Sequence, residues 1–441
     1  MNDGSDDVRP DARPTDAQLA AIDAAVEGGR EARTDLLREL VRFDSTLGRE
    51  RAVQARVATA FADAGLAVEA VPLDYAALAT RPGFSPVEWP EDGREIVIGR
   101  HAVADGAGRS LILNAHVDVV PTGPAHLWRH PPFGAVVEDG RMYGRGAGDM
   151  KAGLAAMTYA LHALHDAGLE PASTVVLQSV VEEECTGNGA LAAVAAGDVA
   201  DAAIIPEPFD RTILTSQLGV LWARVTVEGR PTHVLEATAG VDAIRLAGEV
   251  AGAFRTLEAE MNAPAERPAA YADAVHPINV NVGRIEGGEW TSSVPASCTF
   301  DVRFGFFPGT SVAAMKARVE AHLRRFVDAH PVLKDAPPHL TYVGFQAEPY
   351  APPSDHPAWR TLAAAHADLA GAPPATLAST ATTDARILGL VGGVPTTCYG
   401  PTAGSIHGVD EWVDLDSVHE VTRTLARFVA RWCGVRPRGA A

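Results

Sequence analysis

An apolar run that ends in a histidine and an aspartate constrains this chain more than any other feature. Residues 111–115 read Leu-Ile-Leu-Asn-Ala, and His116-Val117-Asp118 follow directly. Such a run is typical of a buried strand in a parallel sheet, and ligands bind open α/β sheets at the carboxyl ends of their strands. Because His116 and Asp118 are two residues apart, they share one strand face, and Asp118 can hydrogen-bond the imidazole.

Two further apolar runs end in acidic residues. Residues 175–181 lead into three glutamates at 182–184, and residues 202–206 lead into Glu207. Asp149 follows a glycine-rich stretch, where small residues let the backbone approach a ligand closely. One charged stretch after a strand is usually a solvated loop. Three such strand endings instead predict a cluster of histidine and carboxylate metal ligands at one edge of a sheet.

These motifs, taken in chain order, resemble those of a known family. They are Asn114-Ala-His-Val-Asp118, Gly144-Arg-Gly-Ala-Gly-Asp-Met-Lys151, Glu182-Glu-Glu-Cys-Thr-Gly-Asn-Gly-Ala190, Pro206-Glu-Pro208, and Ser405-Ile-His407 with Glu411 after it. From about Leu37 to the C-terminal helix, the chain is similar to the co-catalytic zinc amidohydrolases. That family includes acetylornithine deacetylase, succinyl-diaminopimelate desuccinylase, aminoacylase and glutamate carboxypeptidase.

The resemblance implies two divalent metal ions per chain, with zinc expected and cobalt as the alternative. Asp149 would bridge the two ions. His116 and Glu207 would complete one site, and Glu184 and His407 would complete the other.

The same resemblance assigns the acid–base chemistry. Two ions that share a carboxylate lower the pKa of a bound water and polarise the scissile carbonyl, and one further carboxylate must accept the proton of that water. Neighbouring side chains at a strand end point apart, so one glutamate can bind metal while the other acts as a base. The resemblance makes Glu183 the general base and Asp118 the carboxylate behind His116.

The middle of the chain has its own strand–helix–strand–strand–helix–strand pattern, which fits a ferredoxin-like unit inserted into another domain. We expect an α/β fold. A mixed-sheet, zinc-peptidase-like catalytic domain would span 16–215 and 348–441, and an α+β ferredoxin-like lid and dimerisation domain would span 216–347. Residues 1–15 contain few apolar side chains and are expected to be disordered.

The resemblance also implies substrate contacts. His233 matches a histidine that reaches the oxyanion, from the same chain or from a partner subunit, although Ala237 and Asp242 depart from the family pattern. Arg303 matches an arginine that holds a substrate carboxylate, with a salt bridge to a lid acid as the alternative role. The other expected contacts are Asn281, Asp384, Arg386 and Gly404. A helix N-cap is an equally good role for Asp384.

Charge and composition exclude several classes of partner. The 441 residues include 37 Lys and Arg against 56 Asp and Glu, a net charge of −19, which argues against a nucleic-acid surface and against a polybasic membrane patch. No apolar run approaches the roughly 20 residues of a membrane helix, and the acidic start lacks the apolar core of a signal peptide. The four cysteines lack paired spacing, which indicates reduced thiols in a cytoplasmic protein.

We therefore expect a cytoplasmic, homodimeric amidohydrolase that cleaves the amide of a small N-acyl amino acid or related N-acyl amine. Dipeptidase or carboxypeptidase activity, and deformylation of an N-formyl aminopyrimidine, are the alternatives. Trp290 and Ser292 resemble the acetylornithine-deacetylase-like branch, which includes such deformylases. A non-hydrolytic protein on this fold would lack the base or a ligand. A nucleophile-dependent amidase would need an elbow motif, which neither Ser405 nor Cys185 has.

Overall fold

The computed structural model of the protein describes residues 8–89 and 93–439. Its helices are α1 (Asp16–Gly28), α2 (Arg30–Arg42), α3 (Arg51–Asp63), α4 (Tyr75–Leu78), α5 (Ala152–Asp166), α6 (Asn188–Ala195), α7 (Ala243–Met261), α8 (Val312–Ala329), α9 (Pro357–Ala370) and α10 (Leu415–Cys433). Its strands are β1 (Ala67–Pro72), β2 (Glu95–His101), β3 (Leu111–His116), β4 (Val136–Glu138), β5 (Arg141–Tyr143), β6 (Leu169–Pro171), β7 (Val175–Val180), β8 (Ala202–Ile205), β9 (Ile213–Gln217), β10 (Gly219–Glu228), β11 (Val280–Gly287), β12 (Ser297–Phe306), β13 (His339–Ala347), β14 (Thr376–Ser379), β15 (Thr396–Cys398), β16 (Ala403–Gly404), β17 (Trp412–Asp414) and β18 (Val435–Pro437).

A six-stranded mixed sheet, in the order β1-β2-β7-β3-β8-β15, forms the centre of the larger unit. Strands β7, β3, β8 and β15 run parallel, whereas β2 is antiparallel to both of its neighbours. Every residue of β3, β7 and β8 is buried, as expected for parallel strands that are covered on both faces. The predicted α/β fold with a mixed sheet is confirmed, and the carboxyl ends of β7, β3 and β8 lie side by side.

Helices α1, α5 and α10 pack together on this unit. Gly153, in the first turn of α5, lies so close to the end of β8 that a Cβ would overlap the carbonyl oxygen of Pro206. Asp23 of α1 accepts hydrogen bonds from Arg423 at 2.7 Å and from the Nη2 of Arg427 at 2.5 Å, which fastens α1 to α10. Within the described ranges, no helix is both long and apolar enough to cross a membrane.

The second unit is an antiparallel sheet in the order β11-β12-β10-β13, connected as strand–helix–strand–strand–helix–strand. This is the ferredoxin-like arrangement that the sequence predicts, and we call it the ferredoxin-like unit. Helices α7 and α8 cover one sheet face, where Ala223 and Val225 are buried. Side chains alternate along a strand, so Trp222 and Arg224 lie on the opposite face, which we call the open face.

The N-terminal segment differs from its expectation. Residues 1–7 lie outside the described part of the chain, but residues 8–15 are not disordered. Val8 and Ala12 are 2% and 4% exposed and pack in a small cluster with Ala107. The prediction was wrong for these residues because two apolar side chains are enough to order the segment when they pack against a distant loop. Local composition does not reveal such a contact.

Candidate metal centre

The side chains predicted to bind metal converge at the carboxyl edge of the central sheet. His116 ends β3, Glu183 and Glu184 follow β7, and Glu207 follows β8. Because these strands are parallel neighbours, their ends meet. They border a cavity of about 360 Å³, the metal cavity, whose lining includes Asp149, Glu183, Glu184, Glu207, Asn281, Arg303, Thr382, Thr383 and His407.

Asp149 stands between two histidines. Its Oδ1 lies 3.1 Å from the Nε2 of His116, and its Oδ2 lies 3.5 Å from the Nε2 of His407. The same His407 nitrogen is 2.9 Å from the Oε2 of Glu184. One ligand atom each from His116, Asp149 and Glu184 lies within 4.8 Å of the other two. Imidazole nitrogens on both sides of a shared carboxylate form a donor set that fits divalent cations of the zinc type.

The buried acidic side chains of the cavity also favour bound cations. Burial raises the pKa of Glu207 well above its ordinary value, and the charge of Asp149 adds to this effect. Burial likewise raises the pKa of Glu183, against the opposing charge of His116. Burial alone would lower the pKa of His116, but Asp118 and Asp149 outweigh it and raise that pKa. Buried acids persist as carboxylates only when positive charge compensates them, so the site fits bound metal ions.

Asp118 orients more of the site than the sequence predicts. Its backbone carbonyl accepts the Nδ1–H of His116 at 2.9 Å, which leaves Nε2 free to bind a metal. Its carboxylate lies 3.5 Å from the same Nδ1. That carboxylate also accepts the backbone N–H groups of Glu183 at 3.3 Å and of Glu184 at 3.1 Å. Asp118 therefore fixes both His116 and the turn at residues 182–184, which we call the glutamate turn.

Glu182 holds the other side of this turn. It is fully buried and has a left-handed backbone with φ of 65°, a conformation that non-glycine residues rarely adopt. Its side chain accepts a hydrogen bond from the indole N–H of Trp89 at 3.0 Å and pairs with Arg94 at 2.7 Å. The hydroxyls of Tyr75 and Thr186 also donate to it. These contacts support the turn that places Glu183 near His116 and Glu184 near His407.

Glu411 holds Asp149 in place, a role that the sequence did not reveal. Its Oε1 accepts the backbone N–H groups of Gly148 at 3.0 Å and of Asp149 at 3.1 Å, and its Oε2 pairs with Arg145 at 2.6 Å. A cis peptide bond joins Asp149 to Met150. The only signal in the sequence is an acid placed shortly after His407.

Asn281 and Arg303, two of the expected substrate contacts, line the metal cavity together with Asn279. Arg303 donates to the carbonyl oxygen of Asn279 at 3.4 Å, and within residues 8–89 and 93–439 it forms no ion pair. Asp301, the nearby acid, is held by Arg224 through contacts of 2.6 and 3.1 Å. Burial lowers the pKa of Arg303. Its guanidinium is therefore available for an anionic group in the cavity.

Three predicted substrate contacts lie elsewhere. Asp384 and Arg386 are buried behind the cavity, where Arg386 donates to the carbonyl oxygen of Thr186 at 2.8 Å. Burial raises the pKa of Asp384 to about 6, with Arg386 opposing the shift. Gly404 packs against Trp412, whose indole a Cβ would overlap. Among the described residues that line the metal cavity, Asp384, Arg386 and Gly404 do not occur, so this geometry does not support their expected role as substrate contacts.

His233 is exposed and caps the short helical turn Val234–Ala239, where its Nδ1 accepts the backbone N–H of Leu235 at 3.1 Å. Among the described residues that line the metal cavity, His233 does not occur. A role for His233 of the same chain at the oxyanion therefore has no support in this geometry.

The mixed sheet, the ferredoxin-like insertion and the histidine–carboxylate centre define a metal-dependent hydrolase. The model of Peptidase family M20/M25/M40 matches residues 112–431, and the chain belongs to that family.

Individual relatives extend this result. The N-formyl-4-amino-5-aminomethyl-2-methylpyrimidine deformylase of Bacillus subtilis is 28% identical over 374 residues, which cover 80% of this chain and 86% of the relative. A succinyl-diaminopimelate desuccinylase of Methylobacterium nodulans is 28% identical over 410 residues, covering 89% and 94%. The solved structure of a dipeptidase from Saccharomyces cerevisiae is similar with a TM-score of 0.75 and 15% identity, covering 94% and 98%, which shows the shared fold.

Proposed function

We propose that this protein is a two-metal amidohydrolase that removes the acyl group from an N-acyl amino acid or a related N-acyl amine. One observation carries the proposal: Asp149 stands between His116 and His407 in the cavity that Arg303 also lines. A metal-binding set and a group that can bind a carboxylate thus share one cavity. An N-acyl amino acid carries both an amide and a carboxylate, the two groups that such a cavity could bind.

Five side chains would hold the two ions. His116 and Glu207 would bind one, Glu184 and His407 the other, and Asp149 both. Mixed imidazole and carboxylate donors suit zinc and also cobalt, and we expect zinc. When bound, such ions supply the Lewis acidity that activates a water and polarises the amide carbonyl.

The remaining steps belong to the protein's own groups. Glu183 accepts the proton of the attacking water and passes it to the leaving nitrogen. Its Oε2 lies 3.9 Å from the Nε2 of His116, so it is close to the proposed metal ligands without being needed as one. Arg303 holds the substrate carboxylate through charge-assisted hydrogen bonds, and Asn281 beside it offers a further donor and acceptor.

We propose a homodimer through the ferredoxin-like unit, in which His233 of one subunit would act as oxyanion donor in the cavity of the other. His233 lies beside exposed apolar side chains, with Leu235 86% and Trp290 75% exposed. Such a patch is typical of a protein–protein interface, and it supports the proposal that His233 acts across that interface. Sedimentation of the wild type and of Leu235→Asp tests it. A dimer that dissociates on substitution is expected, and a wild-type monomer with full activity contradicts it.

Four free cysteines support a cytoplasmic location, since disulfides are rare in reducing compartments.

A second candidate function is the deformylation of an N-formyl aminopyrimidine. The relative with that name is 28% identical over 374 residues. The bond broken is again an amide, so the proposed roles of Glu183 and the metal ligands would be the same, whereas Arg303 would have no carboxylate to bind.

The decisive test pairs elemental analysis with a hydrolysis screen. The purified protein is assayed for metal and then offered N-acetyl, N-formyl and N-succinyl amino acids, amines and dipeptides, with and without a chelator. We expect two metal ions per chain and chelator-sensitive release of one acyl class, with activity restored by added zinc or cobalt. A protein that binds no metal although His116 and Asp149 are intact contradicts the proposal.

A further inference from the structure

A second cavity, of about 320 Å³, lies beside the metal cavity and shares two wall residues with it, Asn281 and Arg303. Its other walls come from the open face of the ferredoxin-like unit and from the loop that precedes residue 90, and include Glu88, Trp89, Trp222, Arg224, Asp301 and Val343. The volume falls in the range of small-molecule sites. The proposed mechanism uses none of these six side chains. We call this space the tryptophan cavity.

Trp222 gives this cavity a rigid, planar wall next to Arg303. The two residues are directly paired across β10 and β12 and therefore share one sheet face. The indole of Trp222 meets the ring of Phe345 edge to face, with centroids 5.1 Å apart and an interplanar angle of 88°. Gly344 has φ of 59°, and a Cβ there would press on the indole. Glycine at position 344 therefore leaves the space that the indole of Trp222 occupies.

Trp89, which lies outside the ferredoxin-like unit, forms another part of the wall. Its indole N–H donates to Glu182 at 3.0 Å, so its position is fixed relative to the turn that carries Glu183. Both tryptophans are partly exposed, as expected for rings that border open space rather than a packed core.

The charged groups around the tryptophan cavity satisfy one another. Arg224 binds Asp301 with two contacts and reaches Glu88 at 2.7 Å. Arg284, which also lines the cavity, pairs with Glu286 at 3.1 Å. Each of these charged side chains therefore already has a partner of opposite charge. Arg303, at the boundary with the metal cavity, is the contrasting case, because among the described residues no acid pairs with it. The order of groups is thus metal ligands, then the cation of Arg303, then a wall of tryptophan rings bordered by paired charges.

We propose that the tryptophan cavity binds a planar aromatic group of the substrate. This inference rests on the proposed function and narrows it to an N-acyl compound whose leaving amine carries an aromatic ring. An N-acyl aromatic amino acid has its groups in the matching order, with the amide at the metal ligands, the carboxylate at Arg303 and the ring beyond. Aromatic rings pack well against tryptophan faces and edges.

The test compares two substrates in each variant. We measure kcat/KM for N-acyl-phenylalanine and N-acyl-alanine with the wild type, with Trp222→Ala and with Thr226→Ala. Thr226 lies on the same strand and sheet face as Trp222 but does not line the cavity, so it serves as the matched control. Trp89 is left unchanged because it also contacts Glu182 in the glutamate turn.

We expect the wild type and Thr226→Ala to prefer phenylalanine by at least about tenfold, and the preference to fall to within about threefold in Trp222→Ala. Loss of fold or metal would lower both rates and leave their ratio unchanged. A wild type without preference for the aromatic substrate overturns the proposal. An unchanged preference in Trp222→Ala protein that keeps the wild-type rate with N-acyl-alanine overturns it as well.

A binding measurement separates this proposal from the proposed function. Calorimetry with Glu183→Gln protein compares N-acetyl-phenylalanine, N-acetyl-alanine and N-acetyl-phenethylamine, which has the ring but no carboxylate. If adding Trp222→Ala to the Glu183→Gln protein weakens binding of the ring compounds, the result supports the tryptophan cavity even when the wild type hydrolyses nothing. A wild type without hydrolysis would contradict only the amidohydrolase. Turnover without any ring preference would contradict only the tryptophan cavity. Equal binding of both ring compounds would favour an aromatic amine without a carboxylate.

Discussion

The carboxylate of Asp118 accepts the backbone N–H of Glu184 at 3.1 Å. The backbone carbonyl of the same residue accepts the Nδ1–H of His116 at 2.9 Å. Asp118 thus connects the ends of β3 and β7, which supply ligands to different halves of the proposed two-metal site. One residue sets the relative position of both halves.

Asp118→Ala should therefore weaken metal binding by about 10–100-fold, the usual effect of removing a group that orients metal ligands. The two amides of the glutamate turn would lose their acceptor, and the turn would relax. Metal content at equilibrium with a competing chelator measures the change. Asp118→Asn retains one acceptor oxygen and should lose less. Wild-type affinity in Asp118→Ala would contradict the role.

The two neighbouring glutamates should respond differently to the same substitution. Glu183→Gln should lower kcat by about 10²–10⁴-fold and keep both ions, because it removes only a proton acceptor. Glu184→Gln should lower metal content, because Glu184 faces His407 at 2.9 Å. Paired metal analysis and turnover on a substrate identified with the wild type separate the two roles. Metal loss in Glu183→Gln would reassign it as a ligand.

Gly153→Ala should disturb the site through packing alone. The added methyl group would overlap the carbonyl oxygen of Pro206, and Glu207 follows directly. We expect a loss of about 1–3 kcal/mol in stability, typical of overpacking, together with lower metal content. Gly252→Ala is the control, because a Cβ at this helical glycine meets nothing within 4 Å. It should raise stability by about 0.5–1 kcal/mol. Thermal unfolding of both variants measures the two directions, and equal melting temperatures would contradict the packing argument.

The attachment of α1 to α10 should depend on pH. Burial would raise the pKa of Asp23, but hydrogen bonds from Arg427 and Arg423 outweigh it and lower the pKa from 3.8 to about 2. Since the folded-state pKa lies below the unfolded-state value, the stabilisation is complete above about pH 4 and is lost as the pH falls towards 2. At neutral pH, Asp23→Asn should cost about 1–2 kcal/mol after allowance for solvent screening.

The control for this ion pair is Asp355→Asn, because Asp355 pairs with Arg360 while its side chain is 84% exposed. Exposed pairs contribute little, so this variant should match the wild type. Melting temperatures between pH 7 and pH 3 provide the comparison. A deficit of Asp23→Asn that stays constant down to pH 3 would contradict the assigned pKa.

Three of the proposed metal ligands could be predicted from the sequence because the end of an apolar strand is visible as the point where apolar residues give way to polar ones. His116, Glu184 and Glu207 each end or follow such a strand, and parallel neighbours bring those ends together. The strand pattern of the ferredoxin-like unit was predictable for the same reason, since alternation along β10 and β12 is local.

The supporting groups could not be predicted, because they act across long sequence distances and through the backbone. Glu411 binds amide groups of Gly148 and Asp149, and an amide donor has no signature in a sequence. Asp384 and Arg386 have residue types suited to substrate contact, yet tertiary packing buries them. The tryptophan cavity combines a loop with the open face of the ferredoxin-like unit, a juxtaposition that appears only in the folded chain.

The inserted topology has a consequence for how the protein is made. His116, Asp149, Glu184 and Glu207 all precede the ferredoxin-like unit, whereas His407 follows it and β15. A nascent chain leaving the ribosome therefore exposes four of the five proposed ligands long before the last is synthesised. Full loading of the proposed two-metal site would therefore require the completed polypeptide, so metal binding at that site would report that both synthesis and folding have finished.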